Sequence, residues 1–118
     1  KTSTGREPDA RLEIQALSAT LAEYGISFMD LTEASPKAAK TKAVCAKAVR
    51  YLAWNPALLD EMRRTKTLPL KIIEKNENLP RKVLERHRKY IIAGAEIISG
   101  DYPILSEYLS FMREEDPA

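Results

Sequence analysis

Residues 68–100 read LPLKIIEKNENLPRKVLERHRKYIIAGAEIISG, and the reading of this stretch decides the fold. The spacing predicts two helices joined by a short polar turn. The first starts near Leu68, with Pro69 at the first helical position, where a missing N–H has no partner to lose. Leu70, Ile72 and Ile73 give it an apolar side. Asn76, Glu77 and Asn78 break the pattern, and Leu79-Pro80 restarts it. The second helix is expected to run unbroken from Pro80 to Ser99, with Gly100 at its stop. At about 100° per residue, Leu84, His87, Ile91, Ala95 and Ile98 form a stripe, widened by Val83, Tyr90 and Gly94. Lys82, Glu85, Arg86, Lys89, Ala93 and Glu96 fall on the opposite, exposed side, with Arg81 and Arg88 on the flank. The back half, Ile91 to Ile98, is so apolar that it must be covered from several directions. This is the outline of a helix-turn-helix over residues 68–99, whose second helix is the candidate DNA reader.

Charge is concentrated at the same place. Between Arg63 and Lys89 there are ten Lys and Arg (63, 64, 66, 71, 75, 81, 82, 86, 88, 89) and three acids (74, 77, 85). The segment therefore carries +7, against +2 for the whole chain. From Glu96 onward six acids face one Arg113. A localised positive patch is what phosphate binding requires. Arg81, Lys82, Glu85, Arg86 and Lys89 are the candidates for base contacts, because Arg pairs with guanine's two acceptors and Glu accepts from cytosine. Arg63, Arg64, Lys66, Lys71, Lys75 and Arg88 are the candidates for phosphates.

With 118 residues, 44% hydrophobic and 31% charged, the chain has the size of one domain with a modest core. Strand alternation is lacking, so the expected class is all-α, a compact multi-helix domain of about seven helices. Nothing is long and apolar enough for a membrane span, and no signal peptide is seen. The chain starts at Lys1 rather than Met and reads as a piece of a longer protein. Cys45, the lone cysteine, sits among Ala43, Val44, Ala46 and Val49 and reads as a small core residue in a reduced setting. CxxC, HExxH, GxxxxGK[ST] and GxGxxG are absent. With His87 the only histidine, a catalytic triad or a His-ligated metal site lacks parts. The expectation is a non-enzyme without metal or cofactor.

Lys1 to Pro8 reads as a flexible lead-in. A first helix is expected from Pro8-Asp9 to Gly25, with Leu12, Ile14, Leu17, Leu21 and Tyr24 on its apolar side. Ser27 caps a short second helix, with Phe28 and Leu31 as core anchors. Ser35-Pro36 restarts a third helix to about Trp54, carrying Lys37, Lys40, Lys42, Lys47 and Arg50. Asn55-Pro56 opens a fourth to about Arg64. A last helix from Tyr102-Pro103 presents Ile104, Leu105, Tyr108, Leu109 and Met112, with Asp101 as its cap. Residues 9–113 form the expected domain and 114–118 an acidic tail.

The run RKVLERHRKYIIAGAEIISGDYPILSEYL resembles the C-terminal domain of the sigma-I family of bacterial RNA polymerase sigma factors. The resemblance rests on Arg81 to Ala93, the Gly100-Asp101-Tyr102 turn and Tyr108-Leu109. Ser27-Phe28, Ala34-Ser35-Pro36-Lys37 and Leu68-Pro69-Leu70-Lys71 extend it over about residues 10 to 110. It implies a domain that reads the −35 element of double-stranded promoter DNA. It also implies a chain that works with RNA polymerase core through parts absent here. The N-terminal domain of a membrane-anchored anti-sigma factor would hold it, in the cytoplasm near the membrane. The chain departs from the family pattern at Pro80, where a Ser usually caps the reader, at Val83 for Thr and at His87 for Asn. Two other readings fit the residues alone: a protein-interaction module docking an acidic partner, and a helix-turn-helix regulator unrelated to sigma factors.

Overall fold

The structure, a computed structural model, describes residues 10–108. Among them are eight α-helices and no strand. They are α1 (Ala10–Ala22), α2 (Phe28–Ala34), α3 (Ala39–Ala53), α4 (Pro56–Thr65), α5 (Leu70–Glu77), α6 (Arg81–Arg86), α7 (Arg88–Ser99) and α8 (Pro103–Tyr108). The all-α expectation holds. The expected seven become eight because the long second helix of the opening stretch is two. The chain leaves helical geometry at His87 (φ −109°, ψ 22°), which ends α6 and precedes α7.

α7 is the pillar of the core. Its residues 91 to 97 are all buried, because α1, α2, α3, α6 and α8 pack round it. Ala93, Gly94 and Ala95 keep the pillar thin. The facing side of α3 is built from Cys45, Ala46, Ala48, Val49 and Leu52, all buried, and small residues on both helices let their axes approach closely. Leu17 and Leu21 of α1, Leu59 and Met62 of α4, Ile73 of α5 and Leu84 of α6 join the core, with Ile26, Leu68, Leu79 and Tyr102 from the connections.

Encirclement of α7 corrects one expectation. Ala93 and Glu96 are not exposed but buried, at 3% and 5%. Glu96 is tolerated inside because it is fully met. Arg63 Nη2 donates to its Oε1 at 3.2 Å, Arg63 Nε to Oε2 at 3.4 Å, and the Tyr24 hydroxyl donates to Oε2. Arg63 Nη2 also donates to Ser99 Oγ at 2.9 Å. A buried carboxylate without such partners is strongly unfavourable.

Local signals set most helix ends. Ser27 and Asp30 form a reciprocal capping box at α2. Gly25 takes φ +74° in the turn after α1, which stops at Ala22, short of the expected Gly25. Pro69 and Pro80 sit at the N-cap rather than the first helical position. Ser35 closes α2 by donating to Leu31 O, and α3 begins later, at Ala39. Asn55 precedes α4 but makes no side-chain cap. Glu13 of α1, rather than Asp101, serves the start of α8, its carboxylate accepting from the N–H groups of Ile104 and Leu105 at 2.9–3.0 Å. Leu12, Ile14 and Phe28, expected in the core, are exposed, and Leu31 is half-buried. The expected lead-in, the acidic tail and the end of the last helix at Leu109 and Met112 lie outside the described residues.

Candidate nucleic-acid interface

The candidate reader is α5, a three-residue turn and α6. Asn78 takes a left-handed conformation (φ 53°, ψ 48°) that ends α5, a geometry Asn tolerates better than most residues. Leu79 then turns inward, 7% exposed, and fixes the turn to the core. Ile73 anchors α5 and Leu84 anchors α6, both fully buried. With that side of α6 fixed inward, Arg81, Lys82, Glu85 and Arg86 are exposed together.

The eleven predicted site residues divide by what already holds them. Lys82, Arg86 and Arg88 are exposed and make no ion pair among the described residues, and the same is true of Lys71 and Lys75 on α5. Arg81 and Glu85 pair with each other one turn apart, Nε to Oε2 at 3.3 Å. Arg64 pairs with Glu61 on α4. Exposed pairs of this kind contribute little and exchange readily for another partner. Three residues are placed differently. Arg63 is taken up by Glu96. Lys66 lies against the turn after α1, with Nζ 3.1 Å from Glu23 and 5.1 Å from the centre of the Tyr24 ring. Lys89 belongs to α7, not to the helix carrying Arg86, and its Nζ is 3.5 Å from Asp30 of α2.

Sequence reasoning missed α2 as part of this neighbourhood. Asp30, Glu33 and Ala34 line one groove with Glu85, Arg86, Arg88 and Lys89. His87, at the helix break, contacts the Ala34 carbonyl oxygen through Nδ1. The Ser27 backbone N–H donates to Asp30 at 3.0 Å; this bond first, then the Lys89 charge, holds the Asp30 carboxyl below the usual carboxylate range. No periodic signal links residues more than 50 positions apart, so only the Ser27 cap was legible. No group of three or more potential metal ligands occurs among the described residues.

Comparison with known proteins supplies the family. No protein-family model matches the chain. It is 38% identical over 101 residues to the RNA polymerase sigma factor SigI7 of Acetivibrio thermocellus, covering 86% of this chain and 43% of that protein. It is 39% identical over 99 residues to the RNA polymerase sigma factor SigI of Bacillus subtilis, covering 84% and 39%. It is 37% identical over 97 residues to SigI of Bacillus anthracis, covering 82% and 40%. The chain belongs to the sigma-I family of RNA polymerase sigma factors. It spans about two fifths of the length of these relatives. Membership makes it a transcription protein and not an enzyme. Among the described residues no helix is long and apolar enough to cross a membrane.

Proposed function

We propose that this sigma-I chain is the promoter-reading domain of its protein and contacts the −35 element through α5, the Asn78–Pro80 turn and α6. The observation that carries this is the face of α6: Lys82 and Arg86 stand exposed and, among the described residues, without an ion pair, beside the loosely paired Arg81 and Glu85, on a helix fixed from behind by Leu84. Arg81, Lys82, Glu85 and Arg86 read bases. Lys71, Lys75 and Arg88 hold phosphates, joined by Arg64 once it leaves Glu61. Lys89 sits at the edge, for base or phosphate. Core polymerase is engaged mainly by the rest of the protein. The N-terminal domain of a membrane-anchored anti-sigma factor holds this chain in the cytoplasm near the membrane.

The test begins with a labelled duplex selected from a random pool by the full-length protein bound to polymerase. Arg86→Ala is expected to cost about 1–3 kcal/mol on the selected duplex and much less on a scrambled one. Lys71→Ala weakens both alike and lowers the salt slope by about one. Equal losses on both duplexes for Arg86→Ala would remove it from the base-reading set. An anti-sigma domain that covers the same face competes with the duplex.

A further inference from the structure

The groove between α2 and the start of α7 holds as many acids as bases: Asp30, Glu33 and Glu85 against Arg86, Arg88 and Lys89. The positive reading face therefore ends abruptly at α2. Two polar contacts tie α2 there, Lys89 to Asp30 at 3.5 Å and His87 to the Ala34 carbonyl, beside the apolar packing of Leu31 against the core. The capping box with Ser27 fixes the Asp30 carboxylate rather than leaving it to swing away. Lys89 and Asp30 are in contact across the groove, and the other four charges line it with them. A phosphate arriving beside Arg88 or Lys89 meets two carboxylates held on α2.

Sequence-independent binding to DNA is almost wholly electrostatic, whereas binding to a cognate site adds base contacts. A carboxylate at the edge of the reading face thus weakens the first mode more than the second, and discrimination by a repulsive element is a general route to specificity. We propose that Asp30 and Glu33 are specificity-determining residues of the reading face: Asp30 occupies Lys89, and both carboxylates repel phosphate beside Arg86 and Arg88, so that a duplex not bonded through its bases binds weakly. This rests on the DNA-reading proposal above.

The test is fluorescence anisotropy of the full chain on a labelled duplex of mixed sequence, titrated at several salt concentrations. Asn at position 30 keeps an oxygen for the Ser27 N–H, and the Glu33 side chain makes no hydrogen bond among the described residues, so the fold is retained; circular dichroism checks it. Asp30→Asn/Glu33→Gln is expected to tighten mixed-sequence binding about five- to tenfold near 0.1 M salt and to steepen the salt slope by about one, the effect of one freed phosphate contact. Adding Lys89→Gln removes most of that gain. Asp101→Lys, the same change of two charge units placed beyond the far end of α7, shifts affinity less than about twofold, because the 12 residues of α7, about 18 Å of helix, separate it from Arg88 and a surface charge at that distance is screened. No gain from the double variant, or an equal gain from Asp101→Lys, overturns the inference. If Lys71→Ala still weakens binding in that case, DNA reading stands and only the role of α2 falls. If neither the natural chain nor the double variant binds any duplex at the lowest salt, both fall.

Discussion

Arg63 decides between two physical roles, and replacing it by Met separates them. In sequence it belongs to the positive run from Arg63 to Lys89; in the fold it is the cation that keeps Glu96 inside. Glu96 is 5% exposed and accepts from Arg63 twice and from Tyr24 once. Removing one partner of a fully buried ion pair costs about 3–5 kcal/mol, because the other charge is left desolvated. The Arg63 side chain is 38% exposed, so water reaches the pair and the cost falls to about 2–3 kcal/mol. Urea titration reads this as a lower midpoint at unchanged slope. In a domain of this size about 1 kcal/mol moves Tm by about 4–8 °C, which gives a fall on the order of 10–20 °C. Tyr24→Phe removes a hydrogen bond to a charged acceptor and costs about 1–2 kcal/mol, discounted because Tyr24 is half-buried. The double variant Arg63→Met/Glu96→Gln is less damaging than the sum of the two changes, with a coupling of about 1–2 kcal/mol. DNA binding supplies the second readout: the salt slope of the folded variant stays that of the natural chain. A stability loss under about 0.5 kcal/mol, with a slope reduced by about one, would refute the structural role and return Arg63 to the phosphate set.

Cys45 is fully buried, and burial pushes its thiol up to about 11. A raised pKa means the native state holds its proton longer than the unfolded chain. The contribution is thus complete below the unfolded value of 9.0 and lost as pH rises through about 11. Stability in urea is expected to fall across that window, and Cys45→Ala flattens the fall; burial raises Tyr24 and Tyr90 as well, so part of it persists. Glu13→Ala unfastens α8: amide hydrogen exchange at Ile104 and Leu105 accelerates, and stability drops by about 1–2 kcal/mol, the scale of a lost helix cap. Gly100→Ala places a Cβ 2.7 Å from the Glu96 carbonyl oxygen and 2.8 Å from the Tyr102 ring, an overpacking that costs about 1–3 kcal/mol in a thermal melt.

What could be read from the chain is what local chemistry dictates. Pro69, Asn78, Pro80 and Gly100 punctuate the backbone within a few residues of the ends they mark, so α5, the turn and the far end of α7 were legible. Ser27 was legible as a helix cap for the same reason; its reciprocal bond with Asp30 is what the structure adds. Glu96 was placed outside because a charge opposite an apolar stripe normally faces water. Its burial depends on Arg63 and Tyr24, 33 and 72 residues away, and no periodicity encodes such a meeting. The run RKVLERHRKY carries neither Gly nor Pro, and its apolar spacing passes through His87 without a fault. The break there coincides with the contact to Ala34, which is tertiary. Leu12 and Ile14 misled in the opposite direction: Ile14 sits at helical spacing with Leu17 and Leu21 but stays at the exposed edge, and Leu12 lies about 140° round from Leu17 and faces out.

The break at His87 changes what a DNA-reading face here can reach. A helix from Pro80 to Ser99 would have carried Arg81 through Lys89 as one rigid row. Instead α6 has six residues, about 9 Å of helix, lying within the width of a major groove of about 12 Å. Its register is fixed by Leu84 and by α5. Arg88 and Lys89 start the pillar, whose direction is set by the core and not by DNA. Within the DNA-reading proposal, base discrimination therefore falls to Arg81, Lys82, Glu85 and Arg86, and Lys89 moves toward the groove edge where phosphates lie. On the same proposal two kinds of damage separate: changes on α6 are expected to alter which sequence binds, while changes on α7 behind Tyr90 alter whether the domain stands. Pro80 and Val83, where the family pattern has Ser and Thr, lie on the α6 side of that division, at its N-cap and half-buried in its first turn. Restoring Pro80→Ser is thus expected to shift the selected sequence or the affinity for it, and to leave the core melt within about 1 kcal/mol, the value of one helix cap. A Pro80→Ser chain that selects the same duplex with the same affinity would place the N-terminus of α6 away from the bases.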